Sequence, residues 1–154
     1  MDKFIDEVAG LGEKLGCLLV QLPPSLQFNS HVVTTFMGRL RRKTMAAIVC
    51  EPRQATWFTP QADDLLREHQ VGRVAADPAV VPQAAIPGGC LDTIYYRLHG
   101  SPRTYYSAYE SDYLAQLGDK LRETPADDLW CIFDNTALGA ATENALALLA
   151  RTTP

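Results

Sequence analysis

DTIYYRLHG, residues 92–100, is the stretch whose reading decides the fold. Side chains alternate along an extended strand, so Ile94, Tyr96 and Leu98 share one face and Thr93, Tyr95, Arg97 and His99 share the other. The apolar face has to meet helices. That turns the second face toward the centre of a sheet or barrel and sets Arg97 and His99 near the strand's carboxyl end. Two cationic-capable groups on one buried face need partners, and the rest of the chain must supply them.

Working outward, four further runs have the same strand-like form: LGCLLVQL (15–22), MAAIVCE (45–51), GRVAAD (72–77) and DLWCIFD (128–134). Turn signals bound them, among them Pro23-Pro24, Pro52, Pro78, Gly100 and Asn135. Helical spacing fills the intervals. Ser30 is placed to cap a helix over 31–43, and Thr59-Pro60 opens one that runs to about Gln70, with Gly72 just past its end. Residues 111–123 carry Tyr113, Leu114, Leu117 and Leu121 on one stripe. The last helix, about 138–151, is rich in Ala and Leu. A short helix with Phe4, Ile5, Val8 and Leu11 on one face precedes the first strand. The Pro-, Ala- and Gly-rich stretch from Pro78 to Gly89 reads as a long connection. Strands and helices in alternation imply an α/β fold, a parallel sheet covered by helices, in a single domain over 1–154.

With 154 residues, 47% hydrophobic and 21% charged, the composition is that of a soluble globular protein. A net charge of −4 argues against binding nucleic acid through a broad basic surface, while leaving room for a local basic pocket. The N-terminal stretch has no signal-peptide pattern, and no run approaches the roughly 18 apolar residues of a membrane span. No membrane partner is expected. Cys17, Cys50, Cys90 and Cys131 form no CxxC pair, and three of them sit in apolar runs as small hydrophobes. Neither a zinc cluster nor a disulfide framework is expected, which points to a reducing cytoplasm.

The strands end alike. Gln21, Glu51, Asp77 and Asp134 each come last after a largely apolar run, beside Arg97 and His99 of the central strand, and in parallel α/β folds ligands bind beyond the carboxyl ends. Plainer readings stand next to this one. Asp77 before Pro78, and Asp134-Asn135-Thr136, fit ordinary turn or cap positions. Glu51 and Arg53 fit a structural ion pair, and Gln21 a hydrogen bond to loop backbone. Trp57 and Phe58 fit packing of the loop onto a helix. His31 and His69 carry no signal. Tyr105, Tyr106 and Tyr109 fit either a packing cluster or a stacking platform.

QLPPS (21–25), EPRQATW (51–57), YYRLHGSPRTYYSAY (95–109) and FDNTALGAATENA (133–145) resemble, in this order, the signatures of the YecE-like family, domain of unknown function 72. The resemblance covers nearly the whole chain. It implies a TIM-type (β/α)8 barrel of roughly 250 residues, of which this chain is similar to the C-terminal portion. The fold expected from it is a partial barrel of about five parallel strands alternating with helices, the first three βα units missing. The family pattern commonly has a His after the Arg of its Glu-x-Arg motif; Gln54 stands there. An incomplete barrel leaves two open edges and an apolar inner face, which predicts poor solubility, a homodimer, or a complementing N-terminal barrel fragment.

The expected function is a pocket at the carboxyl ends of the strands for a small anionic ligand bearing phosphate or carboxylate. His99 is the candidate general acid or base, with Glu51 or Asp134 orienting it or carrying the second proton. Arg97 and Arg103 supply forked donors, and free N–H groups around Thr136 to Ala140 add positive potential. Gln21, Arg53, Asp77, Tyr106, Asn135 and Thr136 complete the ligand-binding candidates. Such a set suits hydrolysis of a phosphoester or glycosidic bond. A divalent metal on Glu51, Asp77, His99 and Asp134 is a variant with no spacing motif behind it. Two alternatives stay open: a non-catalytic module that stacks a nucleotide or short nucleic acid on its tyrosines, and an inactive truncated or split fragment.

Overall fold

A computed structural model describes residues 1–152. In chain order the elements are α1 (Asp2–Ala9), β1 (Cys17–Gln21), α2 (Ser30–Arg41), β2 (Ala47–Glu51), α3 (Pro60–Glu68), β3 (Val71–Arg73), β4 (Ala75–Asp77), β5 (Gly88–Gly89), β6 (Thr93–Leu98), α4 (Ser111–Glu123), β7 (Asp128–Phe133) and α5 (Ala140–Thr152). Four of the five expected strands are present as single strands, the one over 72–77 is not, and the helix expected over 111–123 has those bounds. The cap of α2 is Asn29 rather than Ser30. Its extended backbone lets the side chain accept the Val32 N–H at 3.1 Å, so Ser30 becomes the first helical residue. Thr59 caps α3 as expected, accepting from Ala62 N–H at 3.3 Å. After α3, Gln70 takes the left-handed conformation (φ 53°), not Gly72. Gly72 lies within β3, where a Cβ would sit 2.8 Å from the Thr93 carbonyl.

The single strand expected over 72–77 is broken at Val74. Its first half, β3, pairs parallel with β2, and its second half, β4, pairs parallel with β6. Two sheets result: β1-β2-β3-β5, in which β5 is a two-residue antiparallel addition from the 78–89 connection, and β4-β6-β7. The Val74 N–H still donates to the Cys50 carbonyl at 2.9 Å, which carries the β2–β3 pairing up to the break. Among the described residues no barrel closes: β1 pairs only with β2, and β7 only with β6. The sheet nonetheless curls until its margins approach. A Cβ on Gly16, just before β1, would meet the Trp130 ring of β7 at 2.5 Å.

Two apolar clusters cover the helix-facing side. Leu18, Ile48, Cys50 and Val71 pack against Ile5 of α1, Met37 and Leu40 of α2 and Leu66 of α3. Ile94, Tyr96 and Leu98 pack against Leu114, Leu117 and Leu121 of α4 and Leu148 of α5. This confirms the face assignment made from the alternation of 92–99, and it leaves the other face for the polar residues. Burial pushes the thiols of Cys50 and Cys131 up to about 12, which makes them packing groups rather than nucleophiles. Among the described residues no helix is long and apolar enough to cross a membrane.

Candidate functional site

Register brings the strand ends level. Gln21 stands opposite Glu51 across β1 and β2, and Leu98 stands opposite both Asp77 and Phe133. His99 and Asp134 follow one residue beyond. Parity then turns Arg97 and His99 inward, as the sequence alternation requires.

There they meet Glu51, which has no exposed surface. Arg97 Nη1 donates to Glu51 Oε2 at 2.8 Å and to Gln21 Oε1, and its Nη2 donates to Asp134 Oδ2 at 3.0 Å. Arg53 Nη1 donates to Glu51 Oε1 at 2.8 Å. His99 sits among all of these. Its Nδ1 is 3.1 Å from Asp134 Oδ2, and its Nε2 is 2.9 Å from Glu51 Oε1 and 3.1 Å from Arg53 Nη1. Six sequence candidates, Gln21, Glu51, Arg53, Arg97, His99 and Asp134, thus form one network drawn from both sheets.

The network is layered by depth. The Glu51 and His99 side chains are 1% exposed, Arg97 16%, Arg53 23% and Asp134 30%. Burial alone would raise the Glu51 carboxyl. Hydrogen bonds from His99 and Arg97, and the positive charge of both, overcome that and hold it at about 2. Burial likewise works to lower Arg97, and the bonds and charge of Glu51, with Asp134 behind them, reverse it to a net rise. Both groups therefore stay ionised.

The geometry suits two forms of His99 better than the third. As the cation, the ring donates to both carboxylates. With the proton on Nδ1 alone, it donates to Asp134 and accepts from Arg53, but the Nε2 lone pair then faces the Glu51 Oε1 acceptor at 2.9 Å. With the proton on Nε2 alone, it donates to Glu51 and accepts from a protonated Asp134. Three polar atoms of the network are unspent: among the described residues Asp134 Oδ1 makes no hydrogen bond, and neither do Arg53 Nε and Nη2.

The remaining candidates lie elsewhere. Asp77 accepts the Tyr109 hydroxyl at 2.7 Å, and that hydroxyl in turn accepts the Gly100 N–H at 2.8 Å. Burial, then the Asp77 bond, pushes the Tyr109 hydroxyl upward, so it keeps its proton and donates it. Asp77 instead borders a cleft of about 450 Å³ with Ser101, Pro102, Tyr109 and Tyr113. Asn135, fully buried, donates to the Ser107 carbonyl and to Asn144 Oδ1, both at 2.9 Å, which fixes its amide orientation. Asn144 also exchanges hydrogen bonds with the Tyr109 backbone. Thr136 is exposed, and Arg103 lays its guanidinium over the exposed Tyr106 ring at 3.8 Å. Gln54 accepts the Thr56 N–H at 2.6 Å and so caps the short helical turn Ala55–Trp57.

Sequence reasoning passed over Asn144 and Arg73. Arg73, 5% exposed, pairs with Asp63 at 2.7 Å and holds the carbonyls of Gln83 and Ile86. Its only local signal was a charge placed inside an apolar run. Among the described residues no group of three or more His, Cys, Asp or Glu is arranged to hold a metal ion. Of the carboxylates considered for a metal, Glu51 and Asp134 accept from guanidinium groups, and Asp77 accepts from the Tyr109 hydroxyl.

The family model described as "Protein of unknown function DUF72" matches residues 1–154. Two crystal structures of a DUF72 family protein from Enterococcus faecalis are similar in fold. One gives a TM-score of 0.78 at 20% identity, covering 98% of this chain and 66% of that one. The other gives 0.78 at 24% identity, covering 96% and 65%. A DUF72 family protein from Thermotoga maritima gives 0.73 at 21% identity, covering 97% and 64%. This chain spans about two thirds of the length of those structures. No curated protein matches it.

Proposed function

The chain belongs to the DUF72 family, and from that footing we propose that its strand-end network binds a small anionic ligand and moves protons to and from it. The observation that carries this reading is the layering of the network. A buried His99 is bonded behind an outward Asp134, beside an Arg53 fork with two nitrogens unspent. The free fork suits a phosphate or carboxylate, which it can grip with two parallel bonds.

Asp134 is the proton-transfer group nearest solvent, and His99 is the store behind it. Hydrolysis of a phosphoester or glycosidic bond asks that the leaving oxygen gain a proton and that the attacking water lose one. The pair serves both needs: Asp134 releases its proton outward, His99 replaces it through Nδ1, and the water's proton returns by the same path. Glu51 and Arg97 keep the store in place and balance its charge.

The test uses the whole chain with inorganic phosphate, p-nitrophenyl phosphate and p-nitrophenyl glycosides. Arg53→Gln is expected to weaken phosphate binding about tenfold. His99→Asn is expected to leave phosphate affinity within threefold and to cut turnover by about 100-fold or more, the usual worth of a positioned acid or base. No wild-type turnover of any ester or glycoside, or normal turnover by His99→Asn, refutes the proton-transfer role. Phosphate affinity indifferent to Arg53→Gln refutes the anion site.

The curled sheet with free β1 and β7 margins also supports reading the chain as part of a TIM-type barrel. Further strands, from a second copy or a complementing fragment, would then cover those edges. The nucleotide-module reading rests on the exposed Arg103–Tyr106 stack, in which the guanidinium already lies on the ring.

A further inference from the structure

We propose that Tyr105 is the ligand-contacting residue that sets the substrate class of this site: an anionic group joined to a flat ring. The inference rests on the anion-site reading above and adds the part of the ligand beyond the anion.

Tyr105 holds a left-handed backbone (φ 70°), a conformation that a bulky residue seldom adopts and that Gly or Asn adopts with ease. The same loop does use glycine where space demands it. Gly100 has φ 94°, and a Cβ there would meet the Ser107 carbonyl at 2.9 Å. At position 105 no such saving is made. The residue is tied on both sides instead: its N–H donates to the His99 carbonyl at 2.5 Å, and its carbonyl accepts from Ala137 N–H at 3.1 Å. These two bonds hold the backbone, and the ring stands edge-on to the His99 imidazole, with centroids 5.8 Å apart and planes at 81°.

Tyr105 is 43% exposed, and among the described residues its hydroxyl makes no hydrogen bond. The neighbouring Tyr106 already has one face taken, with the Arg103 guanidinium 3.8 Å from its ring centroid. Strain retained beside reactive groups marks a conformation held for function. Here it presents one open aromatic surface next to the proton store. A planar group attached to the anion would lie against that surface.

Calorimetric titration of the whole chain with inorganic phosphate and with phenyl phosphate tests this. The wild type is expected to prefer phenyl phosphate by about 5- to 10-fold, the factor of one aromatic contact. Tyr105→Phe is expected to keep that preference. Tyr105→Asn is expected to abolish it while leaving inorganic phosphate affinity within twofold and the melting temperature unchanged or higher, since Asn accepts the backbone conformation. Equal affinity of the wild type for the two probes, or a preference that survives in Tyr105→Asn, overturns the assignment. Unfolding of Tyr105→Asn also overturns it, because the ring would then be a structural prop. Failure of both probes to bind removes the anion site itself, which is a separate outcome.

Discussion

Replacing Glu51 by Gln removes a negative charge from a residue with no exposed surface that accepts hydrogen bonds from Arg53, Arg97 and His99 at 2.8, 2.8 and 2.9 Å. Breaking a buried ion pair by deleting one partner costs about 3–5 kcal/mol, because the surviving charge keeps its desolvation penalty. The proton linkage gives an independent figure. A carboxyl held at about 2 when folded, against an ordinary 4.5, contributes about 3 kcal/mol at pH 7. Being depressed, it contributes in full above its unfolded pKa and loses that contribution as pH falls toward the folded one. By pH 3 roughly 2 kcal/mol of it is gone. Urea unfolding of wild type and Glu51→Gln at pH 7, 5, 4 and 3 measures the difference directly. The gap between the two proteins should be flat from pH 7 to 5 and should close by about 2 kcal/mol at pH 3. A gap that stays constant to pH 3, or widens, refutes the charge-paired state of Glu51.

Tyr109→Phe removes the hydroxyl that joins Asp77 to the Gly100 N–H at 2.7 and 2.8 Å. It is expected to cost about 1–3 kcal/mol in urea unfolding, and an unchanged midpoint would show that this bridge carries no stability. The open β1 and β7 margins predict that the purified chain elutes as a dimer or larger species in size exclusion with light scattering. A monomer that unfolds cooperatively would count against completion of the sheet by a second copy or fragment.

Strand positions were legible because alternation has a period of two and prolines punctuate it, and the same parity put Arg97 and His99 on one inward face. What escaped the sequence was decided at a distance. The break at Val74 has no local mark, since each half of 71–77 is an ordinary strand that pairs with a different neighbour. Asp77 looks like Glu51 or Asp134 in sequence, yet its partner Tyr109 lies 32 residues on, in a loop whose path is tertiary. Asn144 reads as one polar residue on an Ala- and Leu-rich helix. Only packing of α5 against the 107–109 backbone makes it a buried connector. Ser30 lost the cap of α2 to the adjacent Asn29, a choice between two good capping residues that propensity does not make.

The network is also the polar tie between the two sheets. Gln21 and Glu51 end strands of one sheet, whereas Arg97, His99 and Asp134 belong to or follow strands of the other. Apolar side chains of equal volume would hold that seam as well or better, since buried ion pairs commonly recover no more than their desolvation cost. Stability therefore does not explain why two carboxylates, two guanidinium groups and an imidazole are gathered there. The proton-transfer role proposed above accounts for it. Both ring nitrogens of His99 have partners in the cation and in the Nε2-protonated form, so on that proposal the Nδ1 proton passes to Asp134 without leaving either nitrogen unpaired.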